Sequence, residues 1–180
     1  MTVEVTPATP DQPSVDPRVV AGQKQHWAAT FGANSDIYGT DPSASGLAAA
    51  EAFASAGLDR VLEQGAGQGR DTLYLARQGL HVTALDFAPG AVETLTSKAR
   101  AAGLAHLVDA ASHDMRQPLP LPDASIDAPY SHMLFCMAFT TGELETLTGE
   151  LRRMLRPRGL VVYTARTTAD ALLPRRHPPR

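Results

Sequence analysis

Three glycines spaced two apart, Gly65, Gly67 and Gly69, stand between a short run, Arg60 to Gln64, and a stretch with helical spacing, Arg70 to Gln78. Glycine is needed where a chain turns tightly and its backbone must approach a ligand with no Cβ in the way. A strand that passes through such a loop into a helix is the opening of a βαβ unit. The feature therefore directs the chain toward a parallel sheet with crossover helices, and toward a ligand at the carboxyl end of its first strand.

The flanking segments alternate in the manner this requires. Leu47 to Ala56 is Ala-rich with Leu47, Ala50 and Ala54 at helical spacing, and it stops at Gly57. Leu73 and Ala76 give the helix after the glycine loop one apolar side, ended by Gly79; His81 to Asp86 reads as the second strand. Pro89 suits a helix first turn, and Val92, Leu95 and Ala99 continue the stripe up to Gly103. His106 to Ala110 reads as a third strand and Ile126 to Phe135 contains a fourth. Thr140 with Glu143 three residues on has the reciprocal capping pattern, followed by Leu144, Leu147, Leu151 and Leu155. Pro157 and Gly159 end that helix before a fifth strand, Leu160 to Ala165. The fold class is α/β, a doubly wound parallel sheet of about five strands, with spatial order 3-2-1-4-5 and its crevice at the switch point. Two residues conflict locally with this assignment. Pro129 deletes a ladder donor inside the proposed fourth strand, so the strand is bulged there or its boundary is misplaced, and Arg158 occupies a turn that is strained if it needs a positive φ.

Composition sets the class and the boundaries. The 180 residues suit one domain. Sixteen Lys+Arg against nineteen Asp+Glu give a formal charge of -3, without the basic excess that holds polyphosphate backbones, so no nucleic-acid partner is expected. A single cysteine, Cys136, excludes an intrachain disulfide and suits a reducing cytosol. Neither an N-terminal signal pattern nor a run of 18 apolar residues occurs, so a cytoplasmic chain without a membrane span is expected. His81, His106, His113 and His177 show no metal-ligand spacing, and no metal is expected. Residues 1–18 read as a disordered proline-rich arm, 19–57 as an N-terminal cap segment and helix, 58–173 as the main domain and 174–180 as an irregular tail.

The glycine spacing also selects the ligand. A dinucleotide fingerprint is Gly-x-Gly-x-x-Gly, whereas here the third glycine arrives one residue early and position 70 is Arg. Glu63 stands two residues before the first glycine, where its carboxylate would repel a pyrophosphate. Both details favour a ligand with a cationic, phosphate-free tail. Asp86 ends the second strand, 21 residues beyond Gly65, within reach of ribose hydroxyls; it also reads as a helix N-terminal acid.

The stretch Glu63-Gln64-Gly65-Ala66-Gly67-Gln68-Gly69 resembles the first motif of the class I S-adenosylmethionine-dependent methyltransferases, (Asp/Glu)-x-Gly-x-Gly-x-Gly, and the likeness extends over roughly Trp27 to Arg166. The resemblance implies S-adenosyl-L-methionine as cofactor, with Gly65, Gly67 and Gly69 against its amino-acid part and Glu63 receiving the ammonium. It implies Asp86 on the ribose, Asp114 and the backbone of Met115 at the adenine edge, and Tyr130-Ser131-His132 facing cofactor sulfur and substrate. Phe87 reads either as a neighbour of the adenine or as core packing. His132 reads as a general base, as the orienter of a nucleophile, or as a packed histidine. Tyr38-Gly39-x-x-Pro42-Ser43 resembles the N-terminal segment of the thiopurine- and tellurite-type members, where the tyrosine approaches the cofactor; Trp27 and His26 precede it. The implied reaction is methyl transfer to an oxygen, nitrogen or sulfur of a small-molecule acceptor. Three other readings stand beside it: a cofactor binder without activity, a nicotinamide-dependent oxidoreductase, and an interaction domain. The family normally continues past the fifth strand to a sixth and a seventh, whereas Leu172 to Arg180 has no period, so the end reads as shortened or frame-shifted. A second copy of the chain is the expected cover for the exposed fifth strand.

Overall fold

A computed structural model of the chain describes residues 15–166. The tail from 174 onward and most of the N-terminal arm lie outside these residues. Five strands form one sheet in the order β3-β2-β1-β4-β5, with every pairing parallel. They are β1 (Arg60–Gln64), β2 (His81–Asp86), β3 (Val108–Ser112), β4 (Ala128–His132) and β5 (Val162–Thr164). Helices α1 (Pro17–Ala33) and α2 (Ala44–Ser55) precede β1, while α3 (Arg70–Arg77), α4 (Pro89–Ala101) and α5 (Thr141–Met154) are the crossovers.

The handedness of the crossovers decides the layers. Successive connections β1-α3-β2-α4-β3 run in one direction and place α3 and α4 on one face, where they share a core with Phe53 of α2, Val61, Val82 and Tyr130. The chain then crosses back to β4, next to β1, and α5 closes the opposite face with Leu147, Leu151 and Met154 against Leu62, Leu85 and Leu134. Each such fully buried aliphatic or aromatic side chain contributes roughly 1.5–3 kcal/mol. The reversal makes β1 and β4 the switch point, with Gln64 opposite Leu85 on one side and Ser131 on the other. The capping box of α5 is present: Thr140 Oγ1 accepts from Glu143 N at 3.1 Å, and Glu143 Oε2 accepts from Thr140 N at 2.7 Å.

Several sequence expectations are corrected. The boundary of the arm at residue 18 falls inside α1, because Asp16 caps that helix by accepting from Arg18 N and Pro17 suits its first turn. The cap segment of 19–57 is thus mostly helical, made of most of α1 and all of α2. α2 starts at Ala44 rather than Leu47, since Ser43 accepts from Gly46 N. The third strand runs from Val108, two residues later than His106, because Leu107 N closes a turn onto Leu104 O. Pro129 does lie within β4, opposite Leu62. The ladder to the other side is interrupted between the Ile126–Leu155 bridge and the Tyr130–Val162 pair, and Pro129 sits in that gap. Arg158 adopts φ 69°, the left-handed conformation that favours glycine. No helix among the described residues is long and apolar enough to cross a membrane.

Candidate functional site

The carboxyl ends of the strands open into a cavity of about 840 Å³, within the size range of small-molecule sites. Its floor is the glycine loop. Gly65 N and Ala66 N both donate to Leu85 O, which draws the loop over the tip of β2. Gly65 and Gly67 take φ 74° and 53° and line the cavity. Gly69, at φ 84°, serves a different purpose: a Cβ there would stand 2.1 Å from Leu95 Cδ1, so this glycine lets α4 pack behind the loop.

Three acids lie at the floor, Glu63, Asp71 and Asp86, all nearly fully buried. Burial pushes the Glu63 carboxyl up to about 8; the Thr72 hydroxyl, donating to Oε2 at 2.5 Å, opposes the rise, and the nearby Asp71 and Asp86 add to it. Burial also raises Asp86, offset in part by the backbone N–H groups of Ala88 and Gly67, which donate to its two oxygens at 2.9 and 2.8 Å. Each oxygen keeps a lone pair for a further donor.

On the β4 side, His132 Nδ1 stands 2.7 Å from Ser45 Oγ and 2.8 Å from Thr164 Oγ1. Burial lowers its pKa; Asp71 acts against this and Arg70 with it. Met133 follows at φ 65°, a strained turn at the end of β4, tied to Thr164 by a bond from its N–H to the carbonyl at 3.0 Å. Met133, Phe135, Cys136 and Met137 then give this side an apolar wall.

The remaining wall is the α1 segment. Trp27 and Phe31 stack at 5.5 Å, with Tyr38 6.4 Å from Trp27 and the Arg70 guanidinium 5.8 Å over the Tyr38 ring. Phe31 comes close to Gly67, where a Cβ would meet its Cζ at 3.2 Å. Arg70, Lys98 and Arg166 supply cations along the same cavity.

Of the residues singled out in the sequence, Tyr38, Glu63, Gly65, Gly67, Asp86, Phe87 and His132 line one cavity, as does Trp27. Gly69, Asp114, Met115 and Ser131 are not among the lining residues. Asp114 is held by Lys24 at 2.8 Å and Arg116 at 3.0 Å; burial raises its carboxyl, and these partners outweigh it and hold the group below the usual range. The Met115 side chain belongs to the core beneath α5, Ser131 is buried behind the site, and His26 meets the edge of Trp27. Sequence reasoning missed Asp71, Phe31, Gln68 and the wall from Met133 to Met137. Asp71 adjoins the glycine loop, yet its partners lie 28 and 59 residues away, beyond any local signal.

A doubly wound α/β domain with a glycine-floored, acid-lined cavity at its switch point belongs to the nucleotide-binding class of folds. Residues 61–159, more than half of the chain, match the methyltransferase domain family, and the chain belongs to that family. The malonyl-[acyl-carrier protein] O-methyltransferase of Serratia marcescens is 30% identical over 106 residues, which cover 59% of this chain and 38% of that protein. The chain thus spans under two fifths of the length of this curated relative. Among solved structures, the [4+2]-cyclase SpnF is 26% identical, with a TM-score of 0.62 over 79% of this chain and 58% of its own. The CcbJ methyltransferase from Streptomyces caelestis shares the fold at 24% identity, with a TM-score of 0.60 over 72% of this chain and 57% of its own.

Proposed function

We propose that the cavity binds S-adenosyl-L-methionine and that the protein transfers its methyl group to a small acceptor at oxygen, nitrogen or sulfur. The observation that carries this reading is the buried Glu63 carboxyl beside the floor made by Gly65 and Gly67. An ammonium is favoured there because it stabilises the ionised form of the Glu63 carboxyl, and the backbone of Gly65 and Gly67 leaves no Cβ to fill the cradle. When bound, the cofactor supplies an electrophilic methyl on a sulfonium. Asp86, with a free lone pair on each oxygen, suits a vicinal diol, and Phe87 beside it suits a flat base. Tyr38 offers a π face to a cation. Asp114, Met115 and Ser131 remain proposed cofactor neighbours from the resemblance, the first two through polar edges and backbone rather than through the cavity lining.

Alignment of the two reactants by itself supplies about 7–11 kcal/mol of the barrier in such displacements, so most of the work asked of the chain is positioning. His132 takes the acceptor proton, a contribution of roughly 10²–10⁴-fold. Membership in the methyltransferase domain family and the 30% identity to an O-methyltransferase support the reading.

A second reading is cofactor binding without methyl transfer. It is favoured by the likeness to a protein named as a [4+2]-cyclase, because a shared fold does not fix the reaction. Incubation with methyl-labelled S-adenosylmethionine and a panel of O–H, N–H and S–H acceptors separates the two. Label should move to an acceptor, and His132→Ala should slow this by roughly 10²-fold while leaving cofactor binding intact. Tight cofactor binding with no acceptor labelled supports the second reading instead.

A further inference from the structure

The polar cluster behind His132 contains more hydroxyls than the methyl-transfer reading uses, and its donors can be counted. Asp71 accepts from Ser43 N on one oxygen, and from both Ser43 Oγ and Tyr130 Oη on the other, each at 2.7 Å. The hydroxyl protons of Ser43 and Tyr130 are therefore committed to the carboxylate, and those two oxygens can only accept from anything else. Ser45 Oγ lies 2.9 Å from Ser43 Oγ and 3.0 Å from Tyr130 Oη. Its single proton has to turn toward that pair, or two lone-pair contacts are left at hydrogen-bond distance. Toward His132 Nδ1, at 2.7 Å, Ser45 Oγ then presents a lone pair, so Nδ1 must carry the proton. Thr164 Oγ1, already accepting from Met133 N, shares that proton at 2.8 Å.

We propose that Asp71, Ser43, Tyr130 and Ser45 form a directional relay of hydrogen bonds that fixes His132 as the Nδ1–H tautomer and leaves Nε2 as the bare, basic nitrogen for the cavity. Asp71, Ser43, Tyr130 and Ser45 are positioning residues. The assignment of a substrate to that base rests on the methyl-transfer reading; the tautomer does not. The relay restricts the acceptor to one that still holds its proton at neutral pH, such as an alcohol, phenol, protonated nitrogen or thiol. In the balanced step, the acceptor's O, N or S forms a bond to the methyl carbon as the carbon–sulfonium bond breaks to a thioether. The acceptor proton passes to Nε2, and the resulting imidazolium faces the Asp71 charge through Ser45 and Tyr130. The cluster is built closely enough to hold this order. Gly46, at the start of α2, admits no side chain, because a Cβ there would stand 2.7 Å from Asp71 Oδ1. The charged groups around the imidazole are Asp71 and Arg70 of α3, with the titratable Glu63 of β1 and the Arg166 cation beyond β5 on the same cavity.

Long-range ¹⁵N–¹H spectra of the full ¹⁵N-labelled chain, taken without ligand at about pH 7.5, a unit above the ordinary histidine pKa, read the tautomer directly. The His132 signal is assigned by its loss in His132→Gln or by contacts to the Thr164 methyl. Nδ1–H is expected in the native chain and in Ser45→Thr, and Nε2–H in Ser45→Ala, where Thr164 is free to donate to Nδ1. An Nε2–H signal in the native chain, or a Ser45→Ala spectrum identical to it, overturns the proposal. In a methyl-transfer assay, Ser45→Ala should lower kcat by about 10²-fold with cofactor affinity unchanged. A chain with the expected tautomer but no transfer to any acceptor would count against the activity alone.

Discussion

Glu63 stays protonated at neutral pH in the protein alone, because burial lifts it to about 8. Its folded value lies above the ordinary 4.5, so between these two values the native state holds a proton that the unfolded chain has released. The stabilising contribution is complete below about pH 4.5 and is lost as pH rises through 8. Replacement by glutamine removes the titration; thermal melts of Glu63→Gln over about pH 5 to 9 should fall less with rising pH than those of the native chain. An ammonium placed beside this group favours its ionised form. Binding of S-adenosylhomocysteine at pH 7 should therefore release close to one proton, seen by calorimetry in two buffers of different ionisation enthalpy. Glu63→Gln should release none and bind about tenfold or more weakly, the value of a charge-assisted hydrogen bond. Equal proton release by both proteins would show that Glu63 does not meet the cation.

α1 buries none of its residues, yet it walls the cavity. Polar ties hold it: Gln68 Nε2 donates to Phe31 O and Asn34 O at 3.0 and 2.8 Å, Lys24 pairs with Asp114, and Lys98 reaches Ser35 O and Asp36 just beyond its end. Gln68 sits in the glycine loop itself, so the floor and the wall are one device. Gln68→Ala breaks two bonds worth about 1 kcal/mol each, and amide exchange over residues 30–36 should quicken by about tenfold or more, with β1 and β2 unchanged. Uniform change across the chain would contradict this division. The same helix shows where a sequence stops being informative. β1 and β2 were legible to the residue, because their apolar runs end at glycines or at Asp86, and α5 because its cap is a local pairing. α1 was not, because a helix held by distant polar partners has no apolar stripe to announce it. The edge strand β3 slid by two residues because it is mostly half-buried or exposed and carries a weak pattern.

For the molecule as a whole, the alternation of strands and crossovers was enough to derive the order 3-2-1-4-5, since right-handed connections and a single reversal leave few alternatives. The cavity follows from that order, and so does the meeting of Tyr38, Glu63, Asp86 and His132 from four separate segments. The Asp71 relay does not follow from it. It depends on side-chain directions at Ser43, Asp71 and Tyr130 that only the packed α2, α3 and β4 bring together. The central claim is that a phosphate-free cationic cofactor rests on the glycine floor, and titration calorimetry of the full chain tests it. S-adenosylhomocysteine should bind at one site and NAD should not. Gly67→Val, which puts a β-branched residue at φ 53° beside Phe31, should weaken binding by about 100-fold or more. Failure of the native chain to bind S-adenosylhomocysteine, or equal binding by a folded Gly67→Val, would contradict the account.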